Sequence, residues 1–226
     1  MRCHIPLILW PLVIANGALI VATMKDEHRS ATPPLPRRSD TPLPVASGLP
    51  RLRGRGRQAA LFIVLALAVK LAFLAVLQRP LGCDCSQVWA LPGDVRLNSR
   101  TMLDPYSLLH LIFGAVLVKL VRWKRPDWPL WTLLAAVIVS STIWEVAENL
   151  PASIALFGYS AGDPLAYGGD SIVNSVADTL VATLGAMLAL PLAGWVVAVI
   201  AVAAEILLSI GIGDGFLITL WRALGG

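Results

Sequence analysis

Apolar and polar residues follow one another along this chain in long blocks. Runs near 20 apolar residues, the length a helix needs to cross the hydrocarbon of a bilayer, cover 58–78, 106–122, 128–150, 170–190 and 195–213. Polar stretches containing Pro and Gly separate them: 79–105 and 151–169 are long loops, and Pro191-Leu192-Ala193-Gly194 is a tight turn. A segment in lipid has to satisfy its own backbone hydrogen bonds, so the pattern predicts an all-α fold, a polytopic transmembrane helical bundle with five spans. Residues 216–224 are apolar but too short to span, and read as a re-entrant or interfacial piece.

Residues 5–23 are just long enough for a sixth span. Three readings of 1–24 stand side by side: a transmembrane helix, a signal peptide with a weakly charged start, or a misassigned start with Met24 as the true first residue. Residues 25–57 are rich in Pro, Ser, Thr and Arg. Pro33, Pro34, Pro36, Pro42, Pro44 and Pro50 break any helix, so this segment is expected to be a disordered linker. The transmembrane domain proper is 58–226.

Composition agrees with the block pattern. The chain is 57% hydrophobic and 14% charged, where soluble domains carry roughly 25% charged residues. The net charge of +4 is uneven: Lys25, Arg29, Arg37, Arg38, Arg51, Arg53, Arg55 and Arg57 face only Asp26, Glu27 and Asp40 within the linker. A basic excess confined to one linker argues against a nucleic-acid partner. It argues for a cytoplasmic segment flanking the lipid bilayer, by the positive-inside rule. A second basic cluster, Arg122-Trp123-Lys124-Arg125, comes two helix ends later and falls on the same side.

That path carries the ionisable groups to the opposite, outer end. Asp104 and His110 stand at the start of the second span, Glu145, Glu148 and Asn149 at the end of the third. Asp170, Asn174 and Asp178 open the fourth, four residues apart on one helix face, and Glu205 and Asp214 lie toward the end of the fifth. An ionisable group within a membrane is costly and marks a functional site. Glu145 and Glu148, at i and i+3, face the same way, and like charges so close cannot both stay ionised cheaply. This suits proton transfer, or a divalent metal that relieves the repulsion. Carboxylates with one imidazole fit zinc, manganese or iron better than calcium. Glu145, Glu148, Asp178 and His110 are the expected catalytic groups, and His110, Glu148, Asp170 and Asp178 the expected ligands of a divalent transition metal. Asp104, Asn149, Asn174, Lys70, Glu205 and Asp214 are expected to support them.

Structural roles compete at several of these positions. Asp170 is a natural N-cap, Asn174 could join helices, and His110 could be a packed, hydrogen-bonded histidine. Lys70 either snorkels or serves as counter-ion to a buried carboxylate. Cys83 and Cys85 are one residue apart, which makes an unstrained mutual disulfide difficult. A soft metal, pairing with another chain, lipid attachment and incidental thiols are the other readings.

Three stretches carry a family likeness: Asp104-Pro105-Tyr106-Ser107-Leu108-Leu109-His110-Leu111-Ile112-Phe113-Gly114, Trp144-Glu145-Val146-Ala147-Glu148-Asn149, and Tyr167-Gly168-Gly169-Asp170-Ser171-Ile172-Val173-Asn174-Ser175-Val176-Ala177-Asp178. With the preceding cysteines they resemble a bacterial multi-pass membrane family known only as a domain of unknown function. The likeness spans 60–215. It implies a protein of the bacterial inner membrane and supplies no activity; the charge pattern, by the positive-inside rule, is what puts 25–57 in the cytoplasm and the polar site toward the periplasm. In that family's pattern a second histidine stands where this chain has Phe113, and a polar residue where it has Gly215. Three functions fit: a metal-assisted enzyme acting on a lipid head group or envelope precursor, proton-coupled transport through Glu145, Glu148 and Asp178, and a structural assembly role.

Overall fold

The computed structural model describes residues 49–91, 94, 96–156 and 167–223. The expected N-terminal span and most of the expected linker lie outside the described residues. Among the described residues the regular structure is helical: α1 (Leu49–Val76), α2 (Ser107–Lys124), α3 (Leu130–Glu148), α4 (Pro151–Leu156), α5 (Ile172–Ala189), α6 (Gly194–Ile212) and α7 (Phe216–Ala223). α1 begins at Leu49, so the end of the basic stretch is helical and runs without a break into the first apolar block. Four helices are long and apolar enough to cross a membrane: Gly56–Val76 within α1, then α3, α5 and α6. They suggest association with a lipid bilayer. The fifth expected span is α2, a helix of 18 residues that also carries Lys119, Arg122 and Lys124 near its end.

Burial sorts these helices into inner and outer. Half of α5 and 56% of the apolar window of α3 are buried, against 17% for α1 and for α6. α2 and α5 pack most intimately, α1 lies on α3, and α6 lies on α2. Small residues permit the α2–α5 contact, as expected where helices cannot rely on a hydrophobic drive to associate. A Cβ on Gly114 would sit 1.8 Å from the Ala182 carbonyl oxygen, and one on Gly185 would sit 2.0 Å from that of Leu111. Below this contact the bundle is apolar: Val118, Leu133, Val137, Ala182, Ala186, Ala189 and Val197 form one buried cluster, with Phe113 packed against it.

The other end is polar and tied together by backbone. Exposed N–H groups at the start of α5 need partners, and the 79–105 loop supplies them. Ser171 N–H donates to Ser99 O (2.7 Å), Ile172 N–H to Pro80 O (2.9 Å) and Val173 N–H to Leu81 O (2.9 Å). Ser171, not Asp170, is the N-cap: its backbone is extended and its hydroxyl accepts from Asn174 N–H at 3.1 Å. Asp170 stands one residue too early and turns its carboxylate inward. The structure also joins Cys83 and Cys85 in a disulfide, because the chain bends enough at Asp84 to bring their Cα atoms to 5.1 Å, inside the range a disulfide spans.

Candidate functional site

Among the described residues, buried polar and charged side chains outnumber buried apolar ones, and most of them gather between α1, α2, α3 and the start of α5. His110 of α2 is the centre. Its Nδ1 lies 3.3 Å from Glu145 Oε1 on α3, and its Nε2 lies 3.7 Å from Asp178 Oδ2 on α5. Ser107, one turn before His110, donates its hydroxyl to Asp178 Oδ1 at 2.8 Å. Glu145 is fully buried, and neither carboxylate oxygen has a hydrogen-bond partner. The contact with His110 is close but is not aligned as a hydrogen bond. Burying a carboxylate without partners costs several kcal/mol, so this side chain is the sharpest anomaly in the fold.

A second set adjoins the first. Asp170 is fixed by Asn149, whose Nδ2 donates to Asp170 Oδ2 at 2.6 Å and whose Oδ1 accepts from Asp170 N–H at 2.8 Å. Tyr167 O–H donates to the same Oδ2 at 2.9 Å. Glu148, at the end of α3, is half-buried beside them. Two groups of side chains bring their donor atoms within 4.8 Å of one another: His110, Glu145 and Asp178, and then Glu145, Glu148 and Asp170. The buried His/Glu/Asp group could bind a metal ion. The four expected ligands are thus divided between two sets, and the residue common to both is Glu145, which was expected as a catalytic group.

Lys70 of α1 does not snorkel. It is fully buried, and its Nζ donates to Ser175 O (2.8 Å) and Thr179 Oγ1 (2.7 Å). Glu145, Asp178, Glu148 and Asp170 are the opposing charges around it. One ammonium therefore faces four carboxylates. Asn174 is buried one turn above Asp178, with its Nδ2 unpartnered.

The remaining expected residues act at the rim. Asp104 accepts from the N–H groups of Ser99 (2.7 Å), Tyr106 (2.9 Å) and Ser107 (3.2 Å), and so anchors the start of α2. Burial raises its pKa above the ordinary carboxyl value, opposed by these hydrogen bonds. Burial and the nearby Asp170 charge also raise the Tyr167 phenol. Asp214 accepts from Tyr106 O–H at 2.9 Å, which ties the α6–α7 turn to α2. Glu205 stands outside the cluster: it caps α7, accepting from Phe216 N–H (3.2 Å) and Leu217 N–H (2.6 Å). A Cβ at Gly215 would lie 2.8 Å from Glu205 Oε1, so the glycine leaves room for that cap.

Arg79 was not singled out in the sequence. Its guanidinium donates to Gly168 O and, at 2.8 Å, to Asn149 O. It lies over Gly169, whose φ of +99° and lack of room (a Cβ would be 2.1 Å from Arg79 Cζ) require glycine. A cationic residue directly after the first span, facing a Gly-Gly-Asp run, was the available signal. Above the cluster opens a cleft of about 880 Å³ whose lining includes Ser99, Arg96, Arg100, Tyr106 and Tyr167. Tyr167 thus touches both the cleft and Asp170.

A family model described as Protein of unknown function (DUF2585) matches residues 74–222. The chain is 34% identical over 155 residues to a UPF0314 protein of Sphingopyxis alaskensis, covering 68% of this chain and 82% of that one. It is 34% identical over 157 residues to a UPF0314 protein of Brucella anthropi, with 69% and 79% covered. To a UPF0314 protein of Paracoccus denitrificans it is 33% identical over 182 residues, with 76% and 92% covered. No solved structure matches.

Proposed function

This chain belongs to the family described as Protein of unknown function (DUF2585), and we propose that it is an inner-membrane enzyme with a metal-assisted site near the periplasmic face. The observation that carries this reading is Glu145: fully buried, without an aligned hydrogen bond at either oxygen, and set between His110 and three more carboxylates. A divalent cation resolves that anomaly by supplying the missing charge. His110, Glu145 and Asp178 would hold it, with Ser107 orienting Asp178 as outer partners orient metal ligands. Such an ion supplies Lewis-acid activation of water or a phosphoryl oxygen.

The substrate class is read from the cleft. It opens at the end of the bundle that carries the cluster, and Arg96 and Arg100 line it against one carboxylate, Asp84, a basic excess. That chemistry suits an anionic lipid head group or envelope precursor. The orientation rests on charge: the basic residues at the end of α2 and in the first turns of α1 stand at the opposite end of the bundle from the cluster, which supports a cytoplasmic position for that end by the positive-inside rule. A transport path is disfavoured by the apolar cluster of Val118, Leu133, Val137, Ala182, Ala186, Ala189 and Val197 beneath the site. A purely structural role is disfavoured because His110, Ser175 and Lys70 stand close to the Glu145 carboxylate yet give neither oxygen an aligned hydrogen bond.

The test compares membrane lipids and envelope precursors by mass spectrometry in cells producing the wild-type chain or Glu145→Gln at equal levels. The wild type is expected to deplete one anionic species that the variant leaves intact. Identical profiles would contradict an enzymatic role.

A further inference from the structure

The two ligand groups share one residue, and that residue has two uncommitted oxygens. Glu145 belongs with His110 and Asp178 on one side and with Glu148 and Asp170 on the other, one donor atom from each residue of a set lying within 4.8 Å of the others. A carboxylate buried between two such sets, with no hydrogen bond to either oxygen, has the disposition of a bridging ligand, which offers one oxygen to each of two cations. We infer that this protein binds a pair of divalent metal ions bridged by Glu145. This rests on the metal-assisted reading above and specifies it.

The surrounding residues fit two positions of different character. The first set contains an imidazole and suits a borderline transition metal; the second is all oxygen and suits a harder ion. Manganese satisfies both. Ligating carboxylates are normally fixed by hydrogen bonds from a surrounding shell. Here Ser107 holds Asp178 at Oδ1, leaving Oδ2 toward His110. Asn149 and Tyr167 both bond Asp170 at Oδ2. Glu148 and Asp170 lie at the cleft end of the cluster, with Tyr167 shared between Asp170 and the cleft. The second ion is therefore the one nearer an entering substrate. The charges agree: among the described residues Lys70 is the lysine whose Nζ enters the cluster, and one divalent ion beside it still leaves the four carboxylates in excess.

The experiment loads detergent-purified full-length protein with Mn²⁺, counts bound ions per chain and records the low-temperature electron paramagnetic resonance spectrum. Two ions per chain with an exchange-coupled signal are expected. Glu148→Gln, which preserves shape, should then retain one ion with an uncoupled six-line spectrum. One uncoupled ion per wild-type chain would overturn the pair while leaving the single-ion site standing. A chain that binds no manganese, zinc or iron would overturn both.

Discussion

His110 Nδ1 lies 3.3 Å from Glu145 Oε1, and this approach joins two helices through a pair of side chains that neither helix could satisfy alone. If a cation completes the pair, stability is linked to metal, because a ligand that binds only the folded state stabilises it by mass action. Chelator should lower the thermal midpoint of the wild-type protein by an amount equivalent to about 2.7 kcal/mol when metal had stood at a hundredfold its dissociation constant. Glu145→Gln should be nearly insensitive to chelator. Equal responses from the two proteins would count against the site.

Lys70 offers a complementary test. It is the buried cation among the carboxylates, and removing one member of a buried charge set costs about 3–5 kcal/mol. Lys70→Met should therefore destabilise the metal-free protein by that order, and less so once metal is added. Unfolding in mixed micelles reads this directly. A variant as stable as wild type without metal would show that Lys70 is not compensating those charges.

The α2–α5 contact makes a prediction about distance. A methyl group on Gly114 collides with the Ala182 backbone, and overpacking of this kind costs about 1–3 kcal/mol. Gly114→Ala should also weaken metal binding, because it separates His110 from Asp178 without touching either. Gly211 of α6 has open space around it. Gly211→Ala should leave metal binding unchanged and gain up to about 1 kcal/mol from helix propensity. Equal metal affinity in Gly114→Ala and wild type would contradict the packing account.

Asp104 predicts a pH dependence. Burial raises its folded pKa, so the folded state holds this proton more tightly than the unfolded one. Its contribution is fully present below the unfolded value of about 3.9 and is lost as pH rises through the folded value. Asp104→Asn removes that titration. Stability measured over a pH series should then fall less steeply on the alkaline side of pH 4 than in wild type. An unchanged slope would show that another group sets it.

The helices were legible because apolar blocks of fixed length leave lipid-facing chain few options. The collection of His110, Glu145, Glu148, Asp170 and Asp178 at one end was legible from alternating spans and two basic clusters. What the sequence hid was set by contacts between distant segments. The 79–105 loop pairs with the first N–H groups of α5 and so moves the cap from Asp170 to Ser171. Arg79 reaches across to Asn149 and Gly168. Glu205 has the residue type of a site group but serves the α7 terminus, since Gly215 leaves room beside it. The disulfide between Cys83 and Cys85 depends on a local bend that composition does not encode.

The most direct test is elemental analysis of the protein purified in detergent without added metal or chelator, beside His110→Ala and Asp178→Ala that retain wild-type helicity. The account predicts a divalent transition metal in the wild type at one or more ions per chain, and its loss in both variants. A metal-free wild type that also takes up no zinc, manganese or iron on dialysis would contradict it.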